Sequence, residues 1–188
     1  MNIEQDWFIA VVNPNTERAC EKKLRTLFRE NLEAEFATYV PVQRELREQP
    51  STGRRVWIDK VLCRSYLFIQ CPPRVRYQIA CQAKFIHYFL MDRARKTPEG
   101  RNDFARIPPL QMINFQRMVG DAETPITIDP TLLRAGSKVR VKSGRFEGIE
   151  GILDRDPNGS SQLAIRVDFL GYAKMAFPLA LLELLEDE

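Results

Sequence analysis

The 188-residue chain contains a single histidine, His87, and four cysteines, Cys20, Cys63, Cys71 and Cys81. These are the side chains from which metal sites and most nucleophilic centres are built. The cysteines stand 43, 8 and 10 positions apart with no C-x-x-C pair, so a structural zinc lacks its ligand spacing and reduced thiols are expected. No P-loop, G-x-S-x-G or H-E-x-x-H occurs, which removes the parts of most hydrolytic and metal chemistries. His87 lies in an apolar run and is expected to pack in a strand. The carboxylate pairs Glu33/Glu35 and Asp154/Asp156 are expected on loops and not in an acid/base site. An enzyme is therefore not expected, and no cofactor.

The informative chemistry is cationic. Arg18, Lys22, Arg25 and Arg29 recur at helical spacing, and Cys20, Leu24, Leu27 and Phe28 recur on the opposite side, so a helix from Glu17 to about Leu32 presents a basic ridge. A second basic group, Arg44, Arg47, Arg54 and Arg55, flanks the turn-forming cluster Gln49-Pro-Ser-Thr-Gly53 between strand-like Thr38–Gln43 and Val56-Trp57-Ile58. This predicts a hairpin with a positive end. Lysine and arginine neutralise phosphates without reading bases. The plainer alternatives are a solvated helix face and a charged loop that resists edge pairing.

Charge is distributed unevenly. The formal total is only +3, but residues 1–120 carry 20 Lys and Arg against 13 Asp and Glu, a balance of +7, whereas residues 121–188 balance at −4. Such a split suggests two modules, the first being the better partner for a nucleic acid.

The elements that must position these residues follow from periodicity. Trp7–Val12 reads as a strand buried on both faces, Asn13–Thr16 as its stop and the start of the basic helix. Val61–Cys71, Arg74–Gln82, Phe85–Met91 and Pro108–Val119 read as strand, helix, strand and helix, with Asp92–Gly100 a polar turn and Leu110, Met112 and Ile113 facing inward. The order β, α, β, β, β, α, β, α gives an α/β sandwich, a mixed sheet with flanking helices. Gly120–Pro130 has the composition of a linker. After it Val139/Val141 and Leu163/Ile165/Val167/Phe169 alternate with polar residues between short-spaced glycines, the pattern of a small closed barrel. The fold class is α+β, with domains at 1–120 and 132–188 joined by 121–131. Hydrophobic residues make up 44% of the chain, enough for a core; no stretch approaches 18 uninterrupted apolar residues and the N-terminus lacks a signal pattern, so a cytoplasmic protein without membrane association is expected.

Gly136–Ile152, an alternating strand followed by a loop with Phe146, Gly148 and Gly151, resembles the KOW motif of SH3-like barrels. With Trp7-Phe8, the amphipathic helix, Tyr39-Val-Pro41, Tyr66-Leu-Phe-Ile69 and Ile107-Pro-Pro-Leu-Gln-Met in that order, nearly the whole chain resembles the NusG family of transcription elongation and antitermination factors, an NGN domain followed by a KOW domain, with an arrangement similar to specialised paralogues of the RfaH or UpxY kind. The resemblance implies an N-terminal domain that binds the clamp helices of RNA polymerase through Trp7, Phe8, Tyr39, Tyr66 and Phe68, and contacts upstream or non-template DNA through Arg18, Lys22, Arg25, Arg54 and Arg55. It implies a KOW domain that recruits ribosomal protein S10 or Rho through Phe146 and Ile149. Trp7 and its neighbours are equally readable as core. Where many members carry an aromatic and Pro-Gly before the tyrosine, this chain has Cys63-Arg64-Ser65. Leu179–Leu185 favours helix, which raises the expectation of a C-terminal domain able to switch fold. The alternative is a ribosome-associated or RNA-binding KOW protein.

Overall fold

The computed structural model describes residues 5–29, 36–131 and 136–185. Its elements begin with β1 (Trp7–Val11), α1 (Glu17–Leu27), β2 (Ala37–Tyr39), β3 (Val42–Glu48), β4 (Arg55–Val61), β5 (Tyr66–Gln70), α2 (Pro73–Gln82), β6 (Tyr88–Phe89), β7 (Met91–Lys96) and β8 (Asn102–Phe104). They continue with β9 (Arg106–Ile107), α3 (Pro109–Asp121), β10 (Thr127–Asp129), β11 (Ser137–Val141), β12 (Glu150–Arg155), β13 (Ser161–Val167), β14 (Gly171–Ala176), a 3₁₀ turn at Leu179–Leu181 and β15 (Leu182–Leu184). The fold is mixed α+β. Two compact units form, Met1–Val40 with Cys63–Leu110, and Pro41–Leu62 with Gln111–Glu188.

In the first unit β1 is the central strand. It pairs antiparallel with β5 on one side and with β6 and β9 on the other, and β2 adds beyond β5. Residues opposite one another in a ladder point to the same side. Phe8, Ile69 and Thr38 therefore share one face, whereas Ile9, Phe68 and Tyr39 share the other. Both α1 and α2 pack on the Phe8 face. Glu21 and Arg25 of α1 hydrogen-bond Thr38, and Arg76 of α2 lies over the rings of Phe8, Phe89 and Phe104.

Several expectations are corrected here. The strand expected over Val61–Cys71 is confined to Tyr66–Gln70, because Cys63-Arg64-Ser65 turns: Ser65 takes φ +68° and Tyr66 N–H donates to Cys63 O. The turn survives without glycine because the buried Glu17 carboxylate accepts the Ser65 N–H at 2.7 Å and the Asn15 N–H at 3.0 Å. The polar turn expected at Asp92–Gly100 contains β7, which pairs with β8 as a separate ribbon; being largely exposed, it has no apolar alternation to reveal it. His87 is exposed, its Nε2 2.9 Å from Asn13 Oδ1, since the strand expected over Phe85–Met91 narrows to Tyr88–Phe89. Leu27 and Leu110 are exposed, while α3 buries Met112, Phe115, Met118 and Val119.

In the second unit β3 and β4 form a seven-pair hairpin. The remaining strands make one antiparallel sheet in the order β10-β14-β13-β12-β11-β15. No hydrogen-bonded ladder joins β10 to β15 among the described residues, so the expected closure of a barrel is not made by backbone pairing. Of the stretch 121–131, Thr127–Asp129 forms β10 and joins this sheet. The helix-favouring Leu182–Leu184 is β15, paired with β11.

Candidate interaction surfaces

The aromatic residues expected to form one patch separate by strand alternation. Tyr39 lies opposite Phe68, their ring centroids 6.4 Å apart, and Tyr66, two residues before Phe68, is on the same side. Tyr39 and Tyr66 are half-buried and Phe68 is fully buried. Burial, with the Cys63 thiol adding to it, raises the Tyr39 phenol above its usual range, so Tyr39 is a neutral hydroxyl on an apolar ring. Trp7, 1% exposed, points to the same side but is core. Phe8 is also core and points to the opposite side, as the residue after Trp7 must. Trp7, Phe8 and Phe68 thus present no accessible ring, and the accessible part of the set is Tyr39 with Tyr66.

Helix α1 ends at Leu27, short of the Leu32 expected, with Phe28 as its C-cap, so the exposed ridge on the helix is Arg18, Lys22 and Arg25, and Arg29, also exposed, lies just beyond it. Arg25 is partly engaged: its Nε donates to Thr38 Oγ1 at 2.9 Å and its Nη2 to Glu21 Oε1 at 3.1 Å. Lys22 keeps its ammonium free of any described partner.

The hairpin carries the other cations. Arg44, Arg47, Arg54 and Arg55 are exposed, and the side chains of Arg47, Arg54 and Arg55 have no ion pair among the described residues. Lys60 is paired with Glu45 at 3.0 Å. The root of the hairpin is fastened by one amide: Gln43 Nε2 donates to Thr124 O and Gln43 Oε1 accepts the Ile126 N–H, both at 2.9 Å. The register sets Leu46 against Trp57, Arg44 against Asp59 and Glu48 against Arg55 on one side of the ribbon. Trp57 is 62% exposed and Leu46 44%, and the Arg44 guanidinium carbon stands 5.6 Å from the Trp57 ring centroid. Trp57 and Leu46 were missed as functional candidates. Their signal was available, because Arg55, Trp57 and Asp59 alternate with Val56 and Ile58, which puts the tryptophan on the charged side.

Phe146 sits half-buried in the loop between β11 and β12, its ring 5.9 Å from that of Phe177. Ile149 is fully buried and offers no contact surface. Arg117 of α3 donates to the carbonyls of Arg145 and Glu147 at 3.0 and 3.2 Å, and Gln111 accepts the Asp168 N–H at 2.8 Å. A cleft of about 310 Å³ lies beside Phe146, walled by Phe177, Met175, Leu181 and Ala122. Among the described residues no group of three His, Cys, Asp or Glu could hold a metal ion, and no helix is long and apolar enough to cross a membrane.

No protein-family model matches the chain, and no curated protein matches it. Among solved structures, the chain is similar to NusG of Thermotoga maritima, solved for its domain interaction, with a TM-score of 0.53 at 14% identity over 97% of this chain and 98% of that one. The MjSpt4:Spt5 complex in conformation B aligns with a TM-score of 0.30 at 10% identity over 96% of this chain and 97% of that one. The likeness to NusG establishes a NusG-like fold, an NGN-like arrangement followed by a KOW-like one.

Proposed function

We propose that this chain is a transcription elongation factor that binds RNA polymerase and reduces pausing or termination. The observation that carries the reading is the NusG-like fold over 97% of the chain, joined to the family's order of motifs in the sequence. Tyr39, its ring against buried Phe68, and Tyr66 on the same face supply the apolar contact to the polymerase clamp helices. Arg18, Lys22 and the hairpin's Arg54 and Arg55 hold non-template or upstream DNA through phosphates, which suits a factor that travels along arbitrary sequence. Arg25 contributes less, being tied to Thr38 and Glu21. The KOW-like part recruits a further partner, such as ribosomal protein S10 or Rho, through Phe146 and the cleft beside it.

The test is transcription in vitro with purified polymerase, measuring pause lifetimes and terminator read-through with and without the protein. Shortened pauses, lost on Tyr66→Ala, are the expected result. No change in either quantity, with co-sedimentation on ribosomes and no polymerase pull-down, would instead favour a ribosome-associated KOW protein.

A further inference from the structure

The charges that share a side of the β3–β4 hairpin with Trp57 form a checkerboard. Facing residues of an antiparallel ladder project to one side, and three successive rungs there are Arg44 with Asp59, Leu46 with Trp57, and Glu48 with Arg55. Along β3 the order is cation, leucine, anion; along β4 it is anion, tryptophan, cation. The face thus has balanced charge and an apolar centre, with Trp57 62% exposed and Leu46 44%. On the reverse side Lys60 pairs with Glu45, and Val56 and Ile58 are half-buried. Glu48 and Arg55 form no ion pair among the described residues. An open apolar centre rimmed by charge marks a protein contact.

We propose that two copies of this chain associate through the Trp57 face of the hairpin, their ribbons packed face to face and antiparallel. The occupant follows from charge complementarity, because the checkerboard matches itself. A two-fold axis between the faces, running across the strands, turns the Arg44–Asp59 rung of one copy onto the Glu48–Arg55 rung of the other. Arg44 then meets Glu48 of the second copy, Asp59 meets Arg55 of the second copy, and the two Leu46–Trp57 rungs meet at the axis. No like charges are opposed, whereas a polyanion would meet two carboxylates on the same face. Six side chains from each copy cover less than the ~800 Å² per partner of a standard interface. The dimer is accordingly weak, with Kd about 10–100 µM. Since Arg55 is engaged in it, self-association and phosphate contact at Arg55 exclude one another. The inference stands apart from the proposed function.

Analytical ultracentrifugation of the full chain at low salt, from about 1 µM to about 1 mM so as to bracket the expected Kd, tests this. The native chain should pass from monomer to dimer, and Trp57 emission should shift to the blue over the same range while Trp7, 1% exposed, contributes a constant background. Glu48→Arg sets like charge against Arg44 of the second copy, and Arg44→Glu sets like charge against Glu48. Each variant alone should associate at least tenfold more weakly than the native chain. Mixed in equal amounts they should associate again, because the two reversed charges then face each other; that recovery also shows that both variants fold. A native chain monomeric throughout the range would overturn the proposal, as would a dimer that Glu48→Arg leaves intact. A mixture no tighter than its components would overturn the antiparallel pairing. Loss of polymerase or oligonucleotide binding in Trp57→Ala, with the native chain monomeric, would give the face to that other occupant. A chain that shortens pauses yet never self-associates would lose this inference alone.

Discussion

The guanidinium carbon of Arg76 lies 3.4 Å from the ring centroid of Phe104, and the rings of Phe8 and Phe89 flank it, each centroid 5.6 Å away. This arginine on α2 thus fixes the helix to the face of the sheet opposite Tyr39. Cation–π contact is stronger where water is excluded, and Arg76 Nε is buried without a hydrogen-bond partner, so the aromatic rings share the stabilisation of its charge with the nearby Asp103 carboxylate. Arg76→Met, which keeps the stem and loses the charge, should cost about 1 kcal/mol, and Arg76→Ala about 2 kcal/mol, read by urea denaturation. Equal stability of all three chains would show that the stack contributes nothing.

Lys174 on β14 bridges Asp129 on β10 and Asp154 on β12, each carboxylate oxygen 2.7 Å from Nζ. Burial works to lower the Lys174 pKa, and the two carboxylates more than reverse it. The Lys174 hydrogen bond, followed by the Thr131 N–H, holds Asp129 down at about 2, and Lys174 likewise lowers Asp154. Folded carboxyl pKa values below the unfolded value of about 3.9 add stability above that pH, which is lost as pH falls from about 4 toward 2. Lys174→Met should destabilise the chain by roughly 2 kcal/mol at neutral pH and flatten this acid limb. Thermal melts across that pH range would show an unchanged limb if the bridge has no such role.

Gly171 opens β14 at φ +98°, and a Cβ there would meet Asp129 O at 2.1 Å and Pro130 Cα at 2.7 Å. Neither obstacle is a flexible side-chain end, so Gly171→Ala must separate β10 from β14 or strain the turn. A loss of at least 2 kcal/mol is expected. A melting temperature within one degree or so of the parent, about the scale of a surface change, would contradict this.

Thiol labelling should distinguish the four cysteines. Cys20, Cys63 and Cys71 are buried and Cys81 is exposed. Burial pushes the Cys63 thiol up to about 12; the same cause raises Cys71 to about 12 against the opposing pull of Arg76. Only thiolates react, so a disulfide reagent at neutral pH should modify Cys81 quickly and the others only on unfolding. A second fast equivalent in the native chain would refute the buried environment.

Salt titration of single-stranded DNA binding should reveal the arginines. With about four phosphates neutralised, log K should fall against log salt with a slope near −3, and Arg54→Ala with Arg55→Ala should reduce the slope by about 1.4. A slope near zero would remove DNA contact from the proposed function.

The sequence by itself determined the elements whose residues carry a local period. The Cys20/Leu24/Phe28 stripe and the opposing cations specify α1, and the alternation at Val139/Val141 and Leu163/Ile165/Val167 specifies two strands of the KOW-like sheet, because one-sided burial writes itself into spacing. Fold class and the exposure of the α1 ridge were legible for that reason. What only the tertiary structure decided is which side each strand residue faces and what neighbours it meets. Trp7 and Phe8 must face opposite sides of their strand by alternation alone, yet only the packing over each face makes both of them core, and nothing in their composition separates core from patch. Leu182–Leu184 favours helix locally but is extended, since β11 offers it an unpaired edge. The charged side of Trp57 could be read from its alternation with Val56 and Ile58, but the register that sets it beside Leu46 and Arg44 depends on how the hairpin turn aligns its two strands.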